Sequence, residues 1–85
     1  MRVTVRLGEP FWRTINVRAV ELSLPDGARV ADALDALVAR YPILVPDLRE
    51  GEARPAIFLD DEEALPGSLL TEGTTIHIVW PVSGG

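Results

Sequence analysis

The last eight residues, Ile78-Val79-Trp80-Pro81-Val82-Ser83-Gly84-Gly85, join an apolar, strand-like run to Pro-Val-Ser and two bare glycines. Most chain ends fray and carry no message in their residue types. This one points to the terminal carboxylate as the group that matters. Little else in the chain is equipped to react. There is no cysteine, which excludes disulfides, thiolate catalysis and Cys-based zinc, so any sulfur chemistry must place sulfur elsewhere. His77 is the single histidine. With no second His and no Cys beside it, no metal site is expected. With no Ser or Cys nucleophile arranged around it, a catalytic role is not expected either. The run Asp60-Asp61-Glu62-Glu63 lacks the spacing of an EF-hand loop. It reads as a solvated turn, with docking against basic residues as the second reading.

Composition narrows the class further. An 85-residue chain has room for one domain, and such a chain buries only about 60–65% of its unfolded surface. The apolar fraction of 47% and charged fraction of 25% are those of a globular domain. A net charge of −5 argues against nucleic acid as a partner, because phosphate binding wants a basic patch. Acidity fits docking on a basic partner, or simply solubility. All 8 basic residues are arginines, which reads as compositional bias. The consequence is that no side chain here can receive an isopeptide bond; only the N-terminal amine can. No signal peptide is visible, and no apolar run approaches the roughly 20 residues a membrane span needs. A cytoplasmic location is expected.

The elements that would position the end are legible from periodicity. Arg2 to Leu7 alternates strictly, with Val3, Val5 and Leu7 on one face, and predicts a half-buried strand. Gly8-Glu9-Pro10 breaks it. Val17 to Leu24 alternates again, and the stretch between, Phe11 to Asn16, is long for a hairpin loop. After the turn Pro25-Asp26-Gly27 the period changes. Val30, Leu34, Leu37 and Tyr41, with Ala33 and Val38, line one face of a helix over about Val30–Arg40. Asp32 and Arg40 complement its dipole, Arg29 is a poor N-cap, and Pro42 stops it. Residues 43–54 read as loop. Ala56–Leu59 predicts a short buried strand, Ala64–Leu65 a very short one, and Leu69-Leu70 a tight turn under the sheet. Thr74–Trp80 predicts the last strand, with Ile76, Ile78 and Trp80 on one face and Thr75, His77 and Val79 on the other. The whole is an α+β domain, residues 1–80, with the first and last strands parallel neighbours at the centre, followed by a flexible tail, residues 81–85.

This order of elements with a Gly-Gly end resembles the ubiquitin-like β-grasp, a mixed sheet of four to five strands with one main helix across it. The nearest resemblance is to the bacterial sulfur carriers, the small subunit of molybdopterin synthase and the thiamin-pathway carrier. It is carried by MRVTVRL, VADALDALVARYP and LTEGTTIHIVWPVSGG. The family pattern reads as a Leu, a Gly turn, a strand and then Pro-Pro-Val-x-Gly-Gly. Leu70, Gly73, Pro81, Val82, Gly84 and Gly85 match it; Trp80 replaces the first proline, so the strand is expected to run one residue further. Length favours the molybdopterin type.

The resemblance implies a carrier subunit rather than an enzyme. An E1-like enzyme would use ATP to adenylate the Gly85 carboxylate, and a sulfur donor would turn the adenylate into a thiocarboxylate. The sulfur would then pass to a substrate in a partner such as the molybdopterin synthase large subunit. The carrier itself would bind no cofactor, no metal, no nucleic acid and no membrane. Carriers for thiamin, cysteine or tRNA thiolation, and a ubiquitin-like protein modifier, stay open as alternatives. Pro81, Val82, Ser83 and Gly84 would be read by the activating enzyme. Glycine lacks a Cβ and so fits a narrow channel, while Pro81 stiffens the base.

Other residues carry two readings each. Val79 on the outer sheet face is either part of the docking surface that the resemblance implies or an ordinary exposed apolar residue. Phe11 and Trp12 either plug the open end of the core or extend the partner surface. Trp80 is expected to pack in the core or seal the sheet end. Arg6 and Arg18 are expected on the outer face, within reach of Glu21.

Overall fold

The computed structural model describes residues 1–9, 11–50 and 55–80. The strictly alternating start becomes strand β1 (Arg2–Leu7), and the next elements are a short helix α1 (Phe11–Ile15) and strand β2 (Ala19–Ser23). Helix α2 (Val30–Arg40) follows, then a 3₁₀ turn (Pro42–Leu44), a π-type turn (Pro46–Glu50), and strands β3 (Ala56–Leu59), β4 (Glu62–Glu63) and β5 (Thr75–Val79). The sheet order is β2-β1-β5-β3-β4. As expected, β1 and β5 are parallel neighbours at the centre, in the register Val5↔Ile76 and Leu7↔Ile78. All other pairings are antiparallel. This mixed five-stranded sheet with one main helix is the ubiquitin-like β-grasp.

The alternation sorts the strands' side chains. Val3 and Val5 on β1, Val20 and Leu22 on β2, Ile57 on β3, and Ile76 and Ile78 on β5 are buried together. They meet Val30, Ala33 and Leu37 of α2. Each such side chain, fully buried, contributes about 1.5–3 kcal/mol. The helix stripe is rotated from the expected one: Ala33 is buried while Leu34 and Tyr41 stay half-buried at its flank.

The poor N-cap at Arg29 is made good from elsewhere. The Arg29 N–H donates to Asp32 Oδ2 at 2.7 Å. The N–H groups of Val30 and Ala31 donate to the carbonyls of Ser68 and Pro66 at 3.0 and 2.9 Å. The first-turn donors that a helix cannot satisfy internally are thus held by the loop after β4. At the other end, Arg40 Nη1 donates to the Glu21 carbonyl at 3.1 Å and ties the helix to β2.

Several expectations are corrected. Phe11–Ile15 is a helix, not a loop; it ends at Asn16, whose φ of 58° turns the chain back, a left-handed stop that Asn tolerates. The second strand accordingly begins at Ala19, not Val17. Part of the segment read as loop is helical turn, because Leu44 and Leu48 drop into the core. The short strand falls at Glu62–Glu63 instead of Ala64–Leu65. The tight Asp60-Asp61 turn fixes Glu62 opposite Leu59, and charged residues suit an edge strand. The last strand stops at Val79: its final partners are Leu7 of β1, opposite Ile78, and Ala56 of β3, opposite Val79. Of the Leu69-Leu70 pair, Leu70 is buried and Leu69 is exposed, bridged to Arg29. No helix among the described residues is long and apolar enough to cross a membrane.

Candidate functional site

The residues expected to do chemistry, Pro81, Val82, Ser83, Gly84 and Gly85, lie outside the described residues. What the fold shows is the base from which they leave. At that base β1 and β5 end side by side. Gly8 donates its N–H to the Ile78 carbonyl at 2.8 Å. A Cβ on Gly8 would stand 3.3 Å from that carbonyl oxygen and 3.6 Å from Val79 Cα. Gly8 is therefore a packing glycine, where the sequence showed only a strand breaker.

From Gly8 the chain turns directly into α1, with the Trp12 N–H on the Gly8 carbonyl at 3.2 Å. This brings Phe11 under Trp80. Their ring centroids are 5.9 Å apart and the planes tilted by 51°. Phe11 is wholly buried. It plugs the core and presents no surface to solvent. Trp80 caps that plug and keeps 42% of its surface exposed, so it seals the sheet end without being swallowed by the core. Trp12 is half-buried at the core's edge. Its ring is covered by the Arg18 guanidinium at 3.9 Å and approached by that of Arg13 at 5.1 Å. Arg13 is in turn paired with Glu9 at 2.9 Å.

On the outer face, the registers set Ala19, Arg6, His77, Phe58 and Glu63 in one cross-strand row. Val79 is half-buried beside it, opposite Ala56. Arg18 precedes β2 and lies over Trp12 rather than beside Glu21; Glu21 faces Thr4. Of the acidic run, Asp60-Asp61 is an exposed turn, with Asp60 at φ 54°, and Glu62-Glu63 is the exposed edge strand β4. Among the described residues no three His, Asp or Glu side chains are grouped to hold a metal. A groove of about 700 Å³ lies between α2 and the β3–β4 edge. Its Asp35 and Arg49 are paired with each other.

The contact between Phe11 and Trp80 was within reach of the sequence. Once β1 and β5 are parallel neighbours, the residues just beyond their ends must meet. The stacking of Arg18 on Trp12 had no such signal.

Among curated proteins, none matches the chain. Among solved structures, SAMP1 from Haloferax volcanii is 28% identical, each chain covering 100% of the other, with a TM-score of 0.87. A putative molybdopterin converting factor subunit 1 from Pyrococcus furiosus shares the fold at 23% identity, covering 96% of this chain and 99% of that one, TM-score 0.80. The complex of subunits 1 and 2 of the molybdopterin-converting factor from Helicobacter pylori contains a chain 26% identical over 100% of both, TM-score 0.64. The likeness thus extends to archaeal as well as bacterial proteins. Residues 12–85 match the ThiS family, and the chain belongs to that family of ubiquitin-like sulfur carriers.

Proposed function

We propose that this protein carries sulfur on Gly85 for molybdopterin synthesis. The observation that supports it is the family match, which runs through the β-grasp and on to residue 85. In this reading the chain is a carrier and not an enzyme. A Gly85 carboxylate oxygen attacks the α-phosphorus of ATP in an E1-like partner, and pyrophosphate leaves. A sulfur nucleophile then attacks the acyl carbon, and AMP departs with the carboxylate oxygen. The resulting thiocarboxylate yields its sulfur inside the acceptor enzyme, the molybdopterin synthase large subunit or its equivalent. The similar H. pylori protein was solved as a complex of subunits 1 and 2 of the molybdopterin-converting factor, which supports the molybdopterin assignment; carriers for thiamin, cysteine or tRNA thiolation are the alternatives within the same class.

Residues 81–85 serve as the arm. Val82 to Gly85 reach about 13 Å when extended, at roughly 3.3 Å per residue. That is enough to carry the carbonyl into a channel too narrow for a domain, and glycine at its tip leaves room for a nucleotide. Pro81, Val82, Ser83 and Gly84 are read by the partner, with Val79 on the outer face in the docking surface. The arrangement calls for no bound cofactor or metal, since ATP is consumed by the partner, in the cytoplasm.

A second reading has its own support: SAMP1, at 28% identity, is a small archaeal modifier protein. As a modifier, this chain would end on a lysine of a target. It has no lysine of its own, so side-chain-linked polymers of it are excluded.

Intact-protein mass spectrometry tests the proposal. The chain is incubated with an E1-like enzyme from its own source, ATP and a sulfur donor. The expected result is a mass gain equal to exchanging one oxygen for sulfur, abolished by deleting Gly85. An active enzyme that yields neither adenylate nor thiocarboxylate overturns it. Isopeptide-linked adducts without a thiocarboxylate would establish the modifier instead.

A further inference from the structure

Trp80 occupies an unusual place. It follows the last residue of β5 and directly precedes Pro81. The strand's hydrogen-bonded neighbours stop at Val79, so ladder bonds no longer dictate where the chain goes. Two other constraints take over. A residue before proline is held out of the helical region, in extended conformations. Its side chain is fastened to the domain by the Phe11 ring, 5.9 Å away between centroids. Phe11 is wholly buried and cannot swing. It is seated by the turn at Gly8, itself packed against Ile78 and Val79. Gly8, Phe11 and Trp80 thus form a bracket built by β1 and α1 around the exit of β5.

We propose that Trp80, clamped on Phe11, fixes the direction in which residues 81–85 leave the domain, and so acts as a positioning residue for chemistry at Gly85. The inference rests on the carrier reading for its purpose, but the clamp itself is independent of it. Leverage explains why direction matters: a swing of about 30° at the base of an arm of about 13 Å moves its tip by about 7 Å. An arm aimed correctly more of the time spares the activating enzyme from waiting for the competent orientation. When only a fraction of carriers is competent, apparent affinity falls by that fraction. The signature is thus a higher KM with kcat held, since saturating carrier restores occupancy. In this chain an aromatic clamp does what a backbone-restricting proline at position 80 would do by fixing φ.

Three variants test the inference, with ATP–pyrophosphate exchange by the activating enzyme and the free protein's backbone dynamics as readouts. Trp80 is half-exposed, so its substitution leaves the fold standing. Trp80→Ala is expected to raise KM about two- to tenfold, the range of one aromatic contact, with kcat unchanged. Trp80→Phe keeps the ring contact and Trp80→Pro replaces it with a fixed φ; both are expected to restore most of the loss. Rescue by two substitutions so unlike each other is something neither core packing nor a direct ring–partner contact produces. Rescue by Phe alone means that the ring touches the partner and overturns the proposal, as does a Trp80→Ala variant with wild-type KM. The ¹⁵N heteronuclear NOE of the residue 80 amide is expected to stay at the strand's level in wild type and Trp80→Phe and to fall in Trp80→Ala. An unchanged NOE overturns the clamp. If the wild type takes no adenylate at all, the carrier reading fails while the NOE still decides the clamp.

Discussion

On β5, Ile76 and Ile78 are shut off from solvent, while Thr75, His77 and Val79 between and beside them are half-buried. β1 repeats the pattern, with Val3 and Val5 buried and Thr4 and Arg6 on the other side. The strands therefore present two unlike faces. One is covered by α2 and lined by buried Val, Ile and Leu side chains. The other carries a row of arginine, histidine, phenylalanine and glutamate held side by side by register alone. A period of two lets one backbone serve both ends at once. Changes on the covered face should appear in stability, and changes on the open face in what the protein binds.

The largest effect that tests this contrast is expected from two adjacent residues. Ile76→Ala removes a fully buried side chain from the centre of the sheet and should cost about 2–5 kcal/mol of unfolding free energy. In a domain whose total is about 5–15 kcal/mol, that is a large share of the stability. His77→Ala, one residue on and facing the other way, should change stability by about 0.5 kcal/mol or less. Urea titration followed by circular dichroism gives both numbers. Similar losses from the two would mean that the outer face is a second core and that the contrast is false.

How far this was legible beforehand follows the same division. Alternation in Arg2–Leu7 and Thr74–Trp80 predicted the two central strands and the inward Val3, Val5, Leu7, Ile76 and Ile78, but it also put Trp80 inward, where the structure leaves it exposed beyond the strand's end; the change of period predicted α2 with its bounds. Those signals live within a single element. What stayed hidden depends on chain brought from elsewhere. A five-residue helix such as α1 is too short to stand on its own propensity; it forms because Phe11 has a core to fill. The cap of α2 comes from carbonyls far along the chain, Ser68 and Pro66 on Val30 and Ala31. β4 was read as a polar turn because an edge strand has no apolar face to announce it. The family was legible because Pro81, Val82, Gly84 and Gly85 are a motif of residue types. Phe11 was placed in two roles at once because sequence does not say which side of a loop is buried.

A smaller effect probes how the covering helix is seated. Asp32 accepts the Arg29 N–H at 2.7 Å and puts a negative charge in the first turn, where the helix dipole favours it. Asp32→Ala should cost about 1 kcal/mol, whereas Asp32→Asn, which keeps the acceptor, should cost less. Because the loop carbonyls of Pro66 and Ser68 hold the next two donors, the helix should persist in both variants. The check is a shift of the urea midpoint with unchanged slope. A changed slope would show that α2 lifts off the sheet, and that the covered face depends on one side chain for its cover.

The smallest effect lies where neither face decides, at the edge by α1. Arg18 rests over Trp12 at 3.9 Å, while Arg13 stands further off at 5.1 Å and is held by Glu9. An exposed cation–π contact is worth about 0.5–1 kcal/mol, so Arg18→Ala should cost that much and Arg13→Ala less. Arg18→Lys is informative because it keeps the charge and loses the flat guanidinium that covers the ring. Acrylamide quenching reports the cover directly, best measured with Trp80→Phe as the background so that Trp12 alone emits. Quenching should rise in Arg18→Ala, rise less in Arg18→Lys, and stay near wild type in Arg13→Ala. Equal quenching in all three would mean that Trp12 is shielded by the core's edge alone. The arginine would then belong to the open face, free to meet a partner, and the boundary between the two faces would have to be drawn on the other side of α1.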